Sequence, residues 1–69
     1  MNELNELMRV LRKRYKDFLR EAKHATTDEL EIIYRAKASE AEAIYILAYN
    51  MKMQILKERA RNADAEING

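Results

Sequence analysis

The stretch HATTDEL, residues 24–30, contains the one credible break in a chain that otherwise favours helix throughout. The 69 residues include no proline and a single glycine at position 69, and strong helix formers dominate the composition. Within the stretch, Thr26 can cap a new helix while Glu29, three residues later, reaches back to it as in a capping box. Ala25 and Leu30 occupy the two positions of a hydrophobic staple around that cap. The stretch therefore predicts a turn between two helices.

Before the turn, large apolar residues recur at alternating spacings of four and three. The row consists of Leu4, Met8, Leu11, Tyr15, Phe18 and Ala22. This spacing is typical of a helix that packs one face against another helix. It predicts a first helix over residues 3–24.

The apolar pattern after the turn is out of phase with the first row. Continued at the same spacing, the first row would reach Ala25, Glu29, Ile32, Ala36 and Ser39. The strongest apolar row is instead shifted by one position and consists of Leu30, Ile33, Ala41, Ile44, Ala48, Met51 and Ile55. The alternative is one uninterrupted helix of about 60 residues, but a phase slip at a capping box favours a turn. We predict an all-α, antiparallel two-helix hairpin with helices at 3–24 and 28–64. It forms a single domain over 1–69 with a frayed tail at 62–69.

The second predicted helix is about 55 Å long and the first about 33 Å, so the second extends beyond its neighbour. Tyr34, Ala38, Tyr45 and Tyr49 widen its main apolar face, and a second apolar row with small residues in its middle lies nearly opposite. Two apolar faces indicate two neighbours, of which the first helix supplies only one. The sequence therefore predicts a homo-oligomeric helical bundle. The expected interface residues are Ile32, Ala36, Ala43, Ile46, Met51, Met53, Ile55 and Leu56.

The first helix carries a run of seven cations against only two acids, Asp17 and Glu21. The cations are Arg9, Arg12, Lys13, Arg14, Lys16, Arg20 and Lys23. Such a face is able to bind phosphates of a nucleotide or nucleic acid, or an acidic protein surface. The alternative is a solvated face that is partly paired with the acid-rich start of the second helix.

Tyrosines are the second distinctive feature, because the chain has four of them and no tryptophan. Tyr34, Tyr45 and Tyr49 are candidates for stacking on a base or another ring. The alternative is that they lie half-buried at an oligomer interface with their hydroxyls in water.

Several classes of site are missing from the sequence. It has no cysteine, one histidine and no catalytic triad, glycine-rich phosphate loop or clustered metal ligands. We therefore expect no metal, no cofactor and no enzymatic activity. No apolar run is long enough to span a membrane, and the amino terminus does not resemble a signal peptide, so we expect a soluble, cytoplasmic protein.

The small size, the charged surface and the missing catalytic set favour a binding protein. The leading interpretation is a self-associating accessory or inhibitor protein, of the type that phages and mobile elements encode, which binds another macromolecule. The alternative is an oligomer that binds a nucleotide or nucleic acid through the cations of the first helix and the tyrosines.

Overall fold

The structure is a computed structural model that describes the backbone of residues 2–68 and the side chains of residues 2–63. It contains two helices, α1 at Asn2–Lys23 and α2 at Asp28–Asn68, and the described residues form no strand. The two helices pack against each other, which confirms the predicted two-helix, all-α hairpin. Helix α2 ends four residues later than predicted. The frayed tail expected at 62–69 lies mostly outside the residues with described side chains and stays a prediction.

The turn between the helices is capped one residue later than predicted. The side-chain Oγ1 of Thr27, rather than that of Thr26, accepts a hydrogen bond from the Leu30 backbone N–H at 3.2 Å. The Thr27 carbonyl also accepts the first α-helical hydrogen bond, from the Glu31 N–H at 3.1 Å. With Thr27 as the cap, the third helical position is Leu30, which cannot reach back as Glu29 would have done. The predicted capping box and staple are therefore wrong, whereas the predicted position of the turn is right.

Helix α1 ends in a tightened turn. The His24 N–H donates to the Arg20 carbonyl at 3.2 Å, and the Ala25 N–H donates to the Ala22 carbonyl at 3.3 Å. The second bond spans three residues instead of four, as is common where a helix stops. No described residue has a positive φ, so the chain turns without a left-handed residue. Arg20 and Lys23 lie in this last turn, where cations complement the helix dipole.

The contact between the helices joins large side chains of α1 to small side chains of α2. From α1 the predicted row provides the buried residues Met8, Leu11 and Ala22. From α2 the buried residues are all alanines, Ala38, Ala41 and Ala48. Half-buried tyrosines and Ile55 extend this row at heptad spacing. Alanines let the two helix axes approach closely enough for the larger α1 side chains to cover them.

This packing corrects the predicted inner face of α2. Four large members of the predicted row are exposed, namely Leu30, Ile33, Ile44 and Met51. The face that contacts α1 is rotated toward the tyrosines and alanines, so these large side chains lie on its flank. Helix α2 is only weakly amphipathic along its length, in contrast to α1. Its periodicity therefore did not determine which face would be buried.

The hairpin is long and thin. Its principal extents are 63 × 16 × 12 Å and its radius of gyration is 17.7 Å. A compact chain of this length would have a radius of gyration of about 11 Å. Its accessible surface is 5874 Å², whereas about 4,500 Å² is expected for a compact monomer of this mass. Two helices alone thus leave far more surface in water than a globular protein of this size.

Candidate functional site

Six of the seven predicted anion-binding cations share one face of α1. At about 100° per residue, they occupy roughly a third of the helix circumference. This basic face consists of Arg9, Arg12, Lys13, Lys16, Arg20 and Lys23. Arg14 lies on the other side of the helix, beside Phe18 and Lys37 of α2. The predicted cationic face is therefore present but one residue smaller.

Two cations of the basic face are paired with acids of their own helix. Arg9 forms a two-pronged ion pair with Glu6, in which its Nε donates to Oε2 at 3.2 Å. This hydrogen bond, together with the charge of the guanidinium, lowers the pKa of the Glu6 carboxyl and raises the pKa of Arg9. Arg20 lies 3.7 Å from the Asp17 carboxylate. These exposed pairs contribute little to the free energy of unfolding.

Four cations of the basic face remain available to a ligand. Arg12, Lys13, Lys16 and Lys23 form no ion pair with any described side chain. The partial pairing with the acidic start of α2 that the alternative interpretation includes is not observed among residues 2–63, where Glu31 pairs with Arg35 of its own helix at 3.0 Å. Four unpaired cations of α1 thus lie together on one exposed face.

A groove runs between the helices beside the basic face. It has a volume of about 570 Å³ and is open to solvent along its length. Arg12, Tyr15 and Lys16 of α1 form one wall. Residues Glu42, Tyr45 and Ile46 of α2 form the other wall. This arrangement, called the basic groove below, places two unpaired cations next to two aromatic rings.

Only one of the three predicted stacking tyrosines lies beside the cations of the basic groove. Tyr45 lines the groove and is half-buried, whereas Tyr49 is exposed farther along α2. Tyr34 lies near the turn, with the Lys37 Nζ 5.6 Å from its ring centroid. Tyr15 was not predicted as a groove residue, because its spacing fits the packing row of α1. Its position between Arg12 and Lys16 was the available signal.

The opposite side of the hairpin has a smaller groove of about 320 Å³ with mixed charges. Arg14, Lys37 and Glu40 border it over an apolar base that includes Phe18. The Lys37 Nζ lies 5.8 Å from the Phe18 ring centroid, so this cation contacts aromatic rings on both helices. Such exposed cation–π contacts contribute about 0.5–1 kcal/mol. The cation here is engaged in packing, which makes this groove the weaker candidate.

The described residues leave twelve large hydrophobic side chains exposed and bury only six hydrophobic residues, four of which are alanines. Of the predicted interface residues, seven are exposed: Ile32, Ala36, Ala43, Ile46, Met51, Met53 and Leu56. Ile32 has the greatest exposure, at 66%. The eighth, Ile55, is half-buried and keeps the spacing of the α1-facing row.

The described residues contain no group of three His, Asp or Glu side chains placed to hold a metal ion. Within the part of the chain that the structure describes, neither helix has a stretch both long enough and apolar enough to cross a membrane. The geometry thus offers two surfaces capable of recognition, the basic groove and the exposed apolar flanks of α2. Comparison of the chain with protein-family models, with curated proteins and with solved structures gives no match.

Proposed function

We propose that the chain is a non-enzymatic, self-associating helical hairpin, which acts as an accessory or inhibitor protein by binding another macromolecule. The supporting observation is the excess of exposed apolar side chains on α2. Ten large hydrophobic side chains of α2 are at least a third exposed, and among the described residues no large side chain is fully buried. Monomeric soluble proteins rarely leave contiguous apolar patches of this kind, and larger ones mark interaction sites.

The core of the isolated hairpin is also small. Among residues 2–63, four of the six buried residues are alanines, each of which buries little area. Complete burial of a large aliphatic side chain contributes about 1.5–3 kcal/mol to the free energy of unfolding. No large side chain that the structure describes is completely buried in the isolated hairpin. Chains of this size without disulfides or a metal usually gain stability by association. Association through α2 would provide the missing core.

Light scattering of the purified protein at micromolar concentration tests the proposal. We expect a mass that is a small multiple of the 8.2 kDa of one chain. Thermal unfolding should shift to higher temperature as protein concentration rises, because association stabilises the folded state by mass action. A monomeric mass together with a cooperative, concentration-independent melt would refute self-association.

The basic groove supports a second candidate function, binding of a nucleotide or a nucleic acid. The observation that favours it is the placement of Arg12 and Lys16, both unpaired, beside the rings of Tyr15 and Tyr45. Cations attract a phosphate and the ring faces allow a base to stack. The Glu42 carboxylate at the groove edge would accept hydrogen bonds from a sugar hydroxyl or a base amine. Such a ligand combines negative charge, an aromatic ring and hydrogen-bond donors.

This candidate is tested with the double variant Arg12→Glu, Lys16→Glu. The matched control is Lys13→Glu, Lys23→Glu, which makes the same change in net charge on the basic face but outside the groove. Fluorescence anisotropy with labelled single-stranded nucleic acid and with a labelled nucleotide measures binding. We expect the groove variant to lose affinity and to show a shallower salt dependence, because fewer counterions are released. Equal loss in both variants would indicate non-specific attraction, and no binding by the wild type would refute the candidate.

A further inference from the structure

One exposed row on α2 has the spacing of a helix–helix contact. Ile46, Tyr49, Met53 and Leu56 follow one another at intervals of three, four and three residues, and all are exposed. Alternation of three and four residues places side chains on a single stripe that fits a left-handed coiled-coil contact. We call this stripe the outer row. It is separate from the alanine row that contacts α1.

The surface that the hairpin leaves exposed is large enough for a stable interface. Its accessible surface of 5874 Å² exceeds the value for a compact monomer by about 1,300 Å². A stable interface of standard size buries about 800 Å² on each partner. Part of the excess lies on residues 56–63 of α2, all of which are exposed. An occupant that lies along α2 would cover both the outer row and this segment.

The charges along α2 favour a second copy in the opposite direction. Residues 28–42 contain five acids and two cations, whereas residues 52–61 contain four cations and one acid. Two copies in parallel would place like charges side by side, whereas in an antiparallel pair centred on residue 51 the cationic residues 52–61 of each copy lie opposite residues 41–50 of the other, which contain one acid and no cation. Antiparallel helix dipoles also attract. A two-fold dimer is the assembly in which one self-complementary patch serves both subunits.

We propose that a second copy of the chain packs antiparallel along the outer row, with residue 51 of both copies at the centre. The inference rests on the self-association proposed above and specifies its face, direction and register. In this register Ile46 lies opposite Leu56 of the second copy, and Tyr49 lies opposite Met53. Every large residue of the outer row is then covered by another large apolar residue. One heptad farther out, Ser39 lies opposite Ala63 of the second copy.

Because the chain contains no cysteine, disulfide formation reports the register without background. We would prepare Ser39→Cys and Ala63→Cys as separate proteins. Both substitutions replace one small exposed residue by another, and circular dichroism would verify the helix content of each variant. The two variants are mixed in urea, refolded together and oxidised with glutathione. Non-reducing electrophoresis measures the fraction of linked dimer, with oxidation in urea as the control for random collision.

We expect the mixture to form a linked dimer and each variant alone to stay unlinked. In the proposed register, a residue 39 of one copy and a residue 63 of the other share a layer, whereas identical positions are about 36 Å apart along the axis at 1.5 Å per residue. A disulfide requires Cα atoms within about 7 Å. Linkage of either variant with itself would indicate a parallel dimer and overturn the inference.

Light scattering of the wild type separates this inference from the proposal on which it depends. A dimeric mass without linkage in the mixture would show that another face or register is used. That result would support self-association and refute the proposed contact along the outer row. A monomeric mass would refute both. A shift of one heptad would also prevent linkage, since it separates the two cysteines by about 10 Å along the axis.

Discussion

Replacement of Leu56 by alanine should weaken the dimer far more than the same replacement at Leu47. Both leucines lie on the uncovered part of the α2 surface. Leu47 has the greater exposure in the isolated hairpin, 62% against 39% for Leu56. Exposure alone would therefore rank Leu47 as the more important docking residue. The outer row contains Leu56 and excludes Leu47. Comparison of the two alanine variants therefore distinguishes a contact along the outer row from general hydrophobic attraction.

The expected loss of dimerisation free energy follows from the part of the Leu56 side chain that association would bury. Complete burial of a leucine side chain contributes about 1.5–3 kcal/mol. The proposed dimer would cover this exposed 39%, which corresponds to about 0.6–1.2 kcal/mol per copy. A symmetric dimer contains the residue twice, so the loss is about 1.2–2.4 kcal/mol. At 1.4 kcal/mol for a tenfold change, the dimer Kd should rise roughly 7- to 50-fold.

Sedimentation velocity over a dilution series measures both dimer Kd values. For Leu47→Ala we expect a Kd within about twofold of the wild type, because the side chain stays in water in the dimer. Circular dichroism of both variants shows whether the helix content is preserved. An equal rise in Kd for the two variants, or a larger rise for Leu47→Ala, would refute the outer row as the contact.

Three further predictions concern the hairpin itself. Thr27→Ala should lower the free energy of unfolding by about 1 kcal/mol in urea titration, since it removes the cap of α2, whereas Thr26→Ala should change it by less than about 0.5 kcal/mol. The pKa of Glu6 is lowered in the folded state by its hydrogen bond and charge interaction with Arg9. The stability from this pair is therefore present above the ordinary carboxyl pKa and is lost as pH falls through the lowered one. Acid titration of helix content should be shallower in Glu6→Gln than in the wild type. Lys37→Met should reduce stability by about 0.5–1 kcal/mol, because it removes a cation from two aromatic rings; no change in urea titration would show that the contacts add nothing.

The helices and the turn could be predicted from local chemistry. The absence of proline, the late glycine and the row in α1 sufficed, because each acts within a few residues. The cap was misplaced by one residue because Thr26 and Thr27 are both good caps. A glutamate three residues after Thr26 suggested a capping box. Only the hydrogen bond from the Leu30 N–H to the Thr27 side chain distinguishes them.

The buried face of α2 could not be predicted in the same way. Large apolar residues such as Ile44 and Met51 surround this helix almost completely, so a count of hydrophobic residues gives no unique face. Packing was decided by size, because the large α1 side chains fit against Ala38, Ala41 and Ala48. The cations of the basic groove were predicted but its Tyr15 wall was not, for a related reason. It depends on which residues of the two helices lie side by side, and that register is set by the turn.

Sedimentation equilibrium of the unmodified protein at micromolar concentration tests the central claim most directly. We expect a mass twice the 8.2 kDa of one chain, which falls toward the monomer value on dilution as helix content decreases. A mass of one chain at all concentrations, with helix content and melting temperature independent of dilution, would contradict it. In that case the apolar flanks of α2 would be stable in water without a second copy.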